Sequence, residues 1–177
     1  MKKLIFTVFF ALVPMLFFAQ AAFDKFDGQD DVTSVIVNKK MFQMMGNVKN
    51  QESQQYLDLI KKLDNLKVFT TTSTRVTAEM KGAAEKYIKT AGLEELMRIN
   101  DKGQNIRITV KSGAGVTQVR ELLMFIEGSG KSSETVLMSL TGDFDLNDIS
   151  LLTDRMKLPG GDDLKRASKS VKAKPAK

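Results

Sequence analysis

The most chemically suggestive stretch of the chain is Gly128-Ser129-Gly130-Lys131-Ser132-Ser133, which resembles the loop that cradles a nucleotide phosphate. A complete loop of that kind reads G-x-x-x-x-G-K-[ST], because its first glycine lets the backbone wrap the phosphates. Counting back from Gly130-Lys131-Ser132, that glycine belongs at position 125, where Phe125 stands. The loop also needs a helix directly behind it, whose first amides face the phosphate. In that place stands Glu134-Thr135-Val136-Leu137-Met138, a run of strand composition. The stretch predicts an exposed hairpin tip between Leu122–Ile126 and Val136–Leu140, not a nucleotide site.

Two further motifs point to metals. Asp143-Phe144-Asp145-Leu146-Asn147-Asp148, with Asp154 at the twelfth position, imitates a calcium-binding helix–loop–helix segment. The sixth position of such a loop must turn sharply on glycine, and here it is Asp148. Asp145 is better read as the cap of the next helix, with Asp148 completing a capping-box-like pair. Asp27-Gly28-Gln29-Asp30-Asp31 is a similar acidic turn. Met41, Met44 and Met45 offer thioethers of the kind that suit Cu(I). Their helical spacing beside Phe42 instead predicts packing in the core, where methionine fills irregular gaps.

The chain has neither histidine nor cysteine. That removes Ser-His-Asp and Cys-His nucleophile systems, histidine general bases, ordinary zinc sites and disulfides. Glu94, Glu95, Glu121 and Glu127 could in principle supply a glycosidase-like carboxylate pair, but their spacing shows only charged strand residues. Lys131 and Ser132 are adjacent, and neighbours on a strand point to opposite faces, which argues against a serine–lysine dyad. No catalytic residue, metal ligand or cofactor is assigned, and the expectation is a protein that is not an enzyme.

The elements that would position any site can be read from periodicity. Val32–Asn38 and Leu66–Thr72 have strand composition, while Lys40–Asn47 and Gln51–Asp64 place apolar residues at helical spacing. Arg75–Ala91 is the clearest helix, with Val76, Met80, Ala84, Tyr87 and Ile88 on one stripe and Gly92 as a left-handed stop. Glu94–Ile99 and Asn105–Lys111 flank the turn Asp101-Lys102-Gly103-Gln104 and read as a hairpin. Val116–Glu127 fits either a helix, through Val116, Val119, Leu123 and Ile126, or a central strand, and is taken as a strand. Glu134–Thr141 is a further strand, and Asp145–Lys157 a final helix. The fold class is therefore α+β: a mainly antiparallel sheet of about six strands with helices packed on one face.

Both ends read differently from the middle. Residues 1–21 have a two-lysine start, an apolar run of about 15 residues from Leu4 to Phe18, and Ala19-Gln20-Ala21. This is the pattern of a signal peptide cleaved after Ala21, and the run is short of the roughly 20 residues of a membrane span. The formal net charge is +6, yet seven Lys or Arg lie between Lys157 and Lys177, against Asp162 and Asp163. Residues 22–157 are expected to form a single, nearly neutral domain, which excludes a nucleic-acid footprint on the fold. Residues 158–177 open on Leu158-Pro159-Gly160-Gly161 and read as a disordered basic tail whose lysines suit an anionic lipid surface.

Three stretches also carry a family likeness: Val32–Val35 continuing to Met41–Met45, then Gly92–Arg98, then Leu140–Leu146. In this order they resemble a domain-of-unknown-function family of small exported, often lipoprotein-like, Gram-negative bacterial proteins, over roughly Phe23 to Lys157. The resemblance implies export and brings no established activity and no catalytic residues. Some relatives are associated with regulation of envelope sigma factors. This chain departs from the lipoprotein-like members in having no cysteine to carry a lipid.

Together these observations predict a periplasmic or secreted protein acting as a non-enzymatic interaction or regulatory module on an envelope protein or cell-surface component. The expected contact surface is the polar side of the strand carrying Arg107, Thr109 and Lys111, which alternate with Ile106, Ile108 and Val110. The alternative is a periplasmic small-ligand binder with a pocket between the Arg75–Ala91 helix and the sheet.

Overall fold

Leu122–Ile126 and Val136–Met138 are apolar at every position, and a strand of that kind must be buried on both faces. The computed structural model describes residues 22–47, 53–101, 103–128 and 134–172, and both runs lie in the middle of its sheet. Along the chain the elements are β1 (Thr33–Asn38), α1 (Lys39–Gly46), α2 (Gln54–Lys62), β2 (Leu63–Thr71) and α3 (Thr74–Ala91). Then come β3 (Glu94–Asp101), β4 (Gln104–Ser112), β5 (Gln118–Glu127), β6 (Thr135–Asp145), α4 (Ile149–Met156) and α5 (Gly161–Lys172). Short 3₁₀ turns cover Asp24–Phe26 and Leu146–Asp148. The strands form one six-stranded sheet in the order β1-β2-β6-β5-β4-β3, antiparallel at every pairing.

The expected hairpins are present. Ile126 faces Val136 and Leu122 faces Leu140 across β5 and β6. Asp101 faces Gln104 across β3 and β4, with Gly103 at φ 85°. The tip residues 129–133 and the leader 1–21 lie outside the described residues. The ambiguous segment is a strand, β5, as its continuous apolar run favours.

Local capping explains where the helices start. Asn38 ends β1 and its side-chain oxygen accepts from the Met41 amide at 3.0 Å, so α1 begins without a loop. Ser53 caps α2 in the same way, accepting from the Tyr56 amide at 3.3 Å. Gly92 ends α3 at φ 67°, the left-handed stop its position in the sequence predicts.

The sequence pattern places helices on one face, whereas the sheet is covered on both. One face carries Leu66, Val68, Ile108, Met124, Met138 and Leu140, packed under Phe42 of α1, Leu59 and Ile60 of α2, and Leu152 of α4. The other carries Phe69, Leu123, Phe125 and Leu137, packed under Val76, Met80, Ala84 and Tyr87 of α3. Phe23 and Phe26, from the start of the domain, join this second cluster. Phe23 meets the Tyr87 ring edge-on at 5.1 Å between centroids, and the Phe26 and Phe69 rings lie 5.9 Å apart. The buried ammonium of Lys67 in β2 is ion-paired with Asp24 and holds this entry segment down.

Residues 158–172 also depart from expectation. The segment read as the start of a disordered tail is helical from Gly161 to Lys172, and Leu158, Leu164 and Ala167 are buried in the first cluster. Its composition is polar overall. However, Leu164 and Ala167 on one face of the helix, with Leu158 just before it, suffice when a neighbouring helix and sheet supply the rest of the core. Residues 173–177 lie outside the described residues.

Candidate functional site

The long helix α3 decides what the polar side of β4 can do. It crosses the sheet over β5 and β6, so that side of β4 is covered in its middle, at Thr109, and open towards both ends. Thr109 has no exposed surface, and its hydroxyl donates to the Leu123 carbonyl at 3.3 Å. Lys111 is exposed and sits directly opposite Glu121 on β5. Arg107 is partly buried, with its Nε 2.9 Å from Glu95 Oε2. The three residues therefore do not make one docking face. The helix that covers the middle of the sheet buries the central member and leaves its neighbours different work.

Beyond the flank of α3, the ends of β3, β4 and β5 stay open and form a cleft of about 210 Å³. Lys81, Ala84, Glu85 and Ile88 form the helix wall. Strand register builds the opposite side: Arg98 faces Arg107, which faces Phe125, and Asn100 faces Asn105, which faces Glu127. Two arginines directly opposite each other repel, and Glu95 reconciles them. It accepts from Arg98 Nε at 3.1 Å and Nη2 at 2.5 Å, and also pairs with Arg107. These guanidinium contacts, led by the hydrogen bonds from Arg98, hold the Glu95 carboxyl below its usual range. At the other end Lys81 Nζ lies 2.9 Å from Glu127 Oε2. Only Arg107 among the expected surface residues belongs to this cleft. The alternation in β4 gives no sign that Arg98, Asn100 and Glu85 join it.

A second exposed feature is the free edge of β1. The six residues TSVIVN carry no charge, and Val35 and Ile36 are 47% and 43% exposed. Next to them in sequence, α1 exposes Met41 and Met44. The spacing of these methionines predicts core packing, but only Phe42 is fully buried and Met45 partly so. An eight-residue helix lying on a sheet edge has only one stripe to bury. The opposite edge, β3, carries Glu94, Glu95 and Arg98, the usual protection of a strand edge.

The other motifs take ordinary structural roles. Asp145 accepts from the Asn147 amide at 2.8 Å and from the Thr117 hydroxyl at 2.7 Å, so it caps the 3₁₀ turn Leu146–Asp148. The expected pair with Asp148 at the start of α4 is not formed, since Asp148 caps α4 without a side-chain bond. Asp148 accepts from Gln55 Nε2 at 2.7 Å, and Asp154 pairs with Lys165. Among the described residues no group of three or more carboxylates gathers as metal ligands would. Of the four glutamates, Glu121 and Glu127 share a face of β5. Six residues of strand put them roughly 20 Å apart, beyond the separations of glycosidase pairs. Glu121 is buried under α3, where its Oε2 accepts from the Tyr87 hydroxyl at 3.0 Å and its Oε1 has no partner among the described residues. Burial raises its pKa, against the opposing pull of Tyr87 and Lys111.

Compared with known protein families, residues 26–152 match the model of a domain of unknown function, DUF4252. Among curated proteins and among solved structures no match is found. No helix among the described residues is long and apolar enough to cross a membrane.

Proposed function

The chain belongs to the DUF4252 family, and on that premise we propose that it is a non-enzymatic binding module of the bacterial envelope that takes an extended segment of a partner protein along β1. The observation that carries this reading is the contrast between the two sheet edges. One is guarded by charge, while the other offers six uncharged residues with Val35 and Ile36 exposed. Strand addition at such an edge draws affinity from main-chain hydrogen bonds and specificity from alternate side chains. Val35 and Ile36 lie on opposite faces of β1, so an added strand would meet an apolar contact on each face.

Export rests on the leader pattern of residues 1–21 and on the family resemblance. The excess of lysines at the C-terminal end of the chain suits an accessory contact with an anionic lipid surface, although Lys165 is paired with Asp154 and Arg166 with Asp163.

The test is affinity capture from envelope extract with the chain from Ala22 onward, and then hydrogen exchange on the complex. A captured protein should slow exchange at amides of Thr33–Asn38, and Ile36→Lys should lose it while keeping the wild-type melting temperature. Capture unaffected by Ile36→Lys, protection confined to other elements, or no enrichment at all would each sink the reading.

A further inference from the structure

The cleft beside α3 holds charges that the fold engages unequally. Arg98 is engaged by Glu95 through two nitrogens, and Lys81 is engaged by Glu127. Arg107 is different. It meets Glu95 through Nε alone, 2.9 Å from Oε2, and no hydrogen bond from its two terminal nitrogens is found among the described residues. On the facing helix wall, the exposed Glu85 acts on Lys81 one turn earlier but forms no ion pair within 4 Å among the described residues. The cleft thus presents one guanidinium end and one carboxylate, from opposite walls, to whatever enters.

Two further features narrow the occupant. The side chains of Asn100 and Asn105 sit opposite each other and make no hydrogen bond among the described residues, so they offer donors and acceptors to a ligand. Phe125, Ile88 and Ala84 give the same cleft a small apolar wall. Its volume, about 210 Å³, is below the roughly 300 Å³ at which pockets for drug-sized ligands begin.

We propose that this cleft binds a short zwitterion of the amino-acid type with an apolar side chain. Arg107 takes the carboxylate through its terminal nitrogens, the fork geometry that suits a carboxylate. Glu85 faces the ammonium group, Asn100 and Asn105 meet the polar backbone of the ligand, and Phe125 with Ile88 meets its side chain. An anion without the ammonium group would meet the like charge of Glu85. A cation without the carboxylate would do the same at Arg107. This site lies on the other side of the sheet centre from β1 and does not depend on strand addition.

The experiment is an NMR titration of the chain from Ala22 onward with four probes: L-leucine, leucyl-leucine, N-acetyl-L-leucine and L-leucinamide. L-leucine or the dipeptide should shift amides of Arg98–Arg107 and of Lys81–Ile88 in a saturable way. The acetylated and amidated forms should each bind roughly tenfold or more weakly, as expected for loss of a charge-assisted hydrogen bond. Arg107→Gln and Glu85→Gln should each weaken binding by a similar factor, Glu85→Gln without moving the melting temperature, while Ile36→Lys should leave the titration unchanged. The proposal is overturned if neither zwitterion shifts these amides at millimolar concentration, if the acetylated form binds as well as L-leucine, or if both variants bind like the wild type.

Discussion

Glu121 shows how far a residue's chemistry is set by what lies across from it. In the sequence it is one of four strand glutamates. In the fold it is 5% exposed beneath α3, with one oxygen bonded to Tyr87 and the other without a partner among the described residues. Burial raises its pKa above the ordinary 4.5, so the folded protein holds a proton that the unfolded chain has already released. Stability from this group is therefore lost as pH rises from the ordinary carboxylate value through the raised one. Glu121→Gln removes the charge and keeps an acceptor for Tyr87. It should melt higher than the wild type at pH 7, and the difference should vanish near pH 4, where Glu121 is protonated in both states. A difference that stays constant across that range would show that burial of the charge is not the cause. Tyr87→Phe keeps the edge-on contact with Phe23 but takes away the hydroxyl donor to the buried carboxylate. It should cost about 2 kcal/mol in urea denaturation, and about half as much in the Glu121→Gln background, where the lost bond is neutral.

Among the elements, β5 explains both what is legible in the sequence and what is not. Val119 and Leu122 belong to the same face of the sheet although they are three residues apart, because the register shifts between Val119 and Glu121. That irregularity breaks strict alternation and imitates the three-and-four spacing of a helix, which is why Val116–Glu127 reads both ways. The run from Leu122 to Ile126 carries the better signal, since only a strand buried on both faces is apolar throughout. The same signal implies a cover for the polar side of β4, yet alternation within β4 alone points to water. Gly142 in β6 is a comparable case. It reads as a strand end, but the chain continues to Asp145 with Gly142 at φ 151°. A Cβ there would meet the Leu63 Cα at 2.8 Å as well as the Lys62 carbonyl, at the junction where α2 turns into β2. Gly142→Ala should therefore destabilise the protein by about 2–3 kcal/mol through backbone displacement. Gly82→Ala, with open space around it on α3, should be neutral or slightly stabilising. Equal midpoints for the two variants in urea would refute the close approach.

For the molecule as a whole, the piece that no local pattern supplies is the strand order. β2 and β3 run parallel at opposite sides of the β6-β5-β4 block, linked by α3, and β6 closes the sheet between β2 and β5. Hydrophobic period fixes which face a residue occupies, but not which strand lies beside it, because several central strands are apolar enough to exchange places. The C-terminal segment hides its structure for a related reason: its apolar residues are few, and their value depends on a surface made elsewhere. Leu158, Leu164 and Ala167 fill the first core cluster, where α5 packs on α4 and reaches β4. That placement gives a whole-molecule prediction. Leu164→Ala, at a residue 1% exposed, should cost about 2–4 kcal/mol. It should lower the urea midpoint without changing the slope, because one cooperative unit still unfolds. Cutting the chain after Lys157 should cost more, since it removes Leu158 and Leu164 together, each worth about 1.5–3 kcal/mol of burial. A tail without structure would leave both midpoints where the full chain has them, and that result would return residues 158–172 to the role their charge alone suggests.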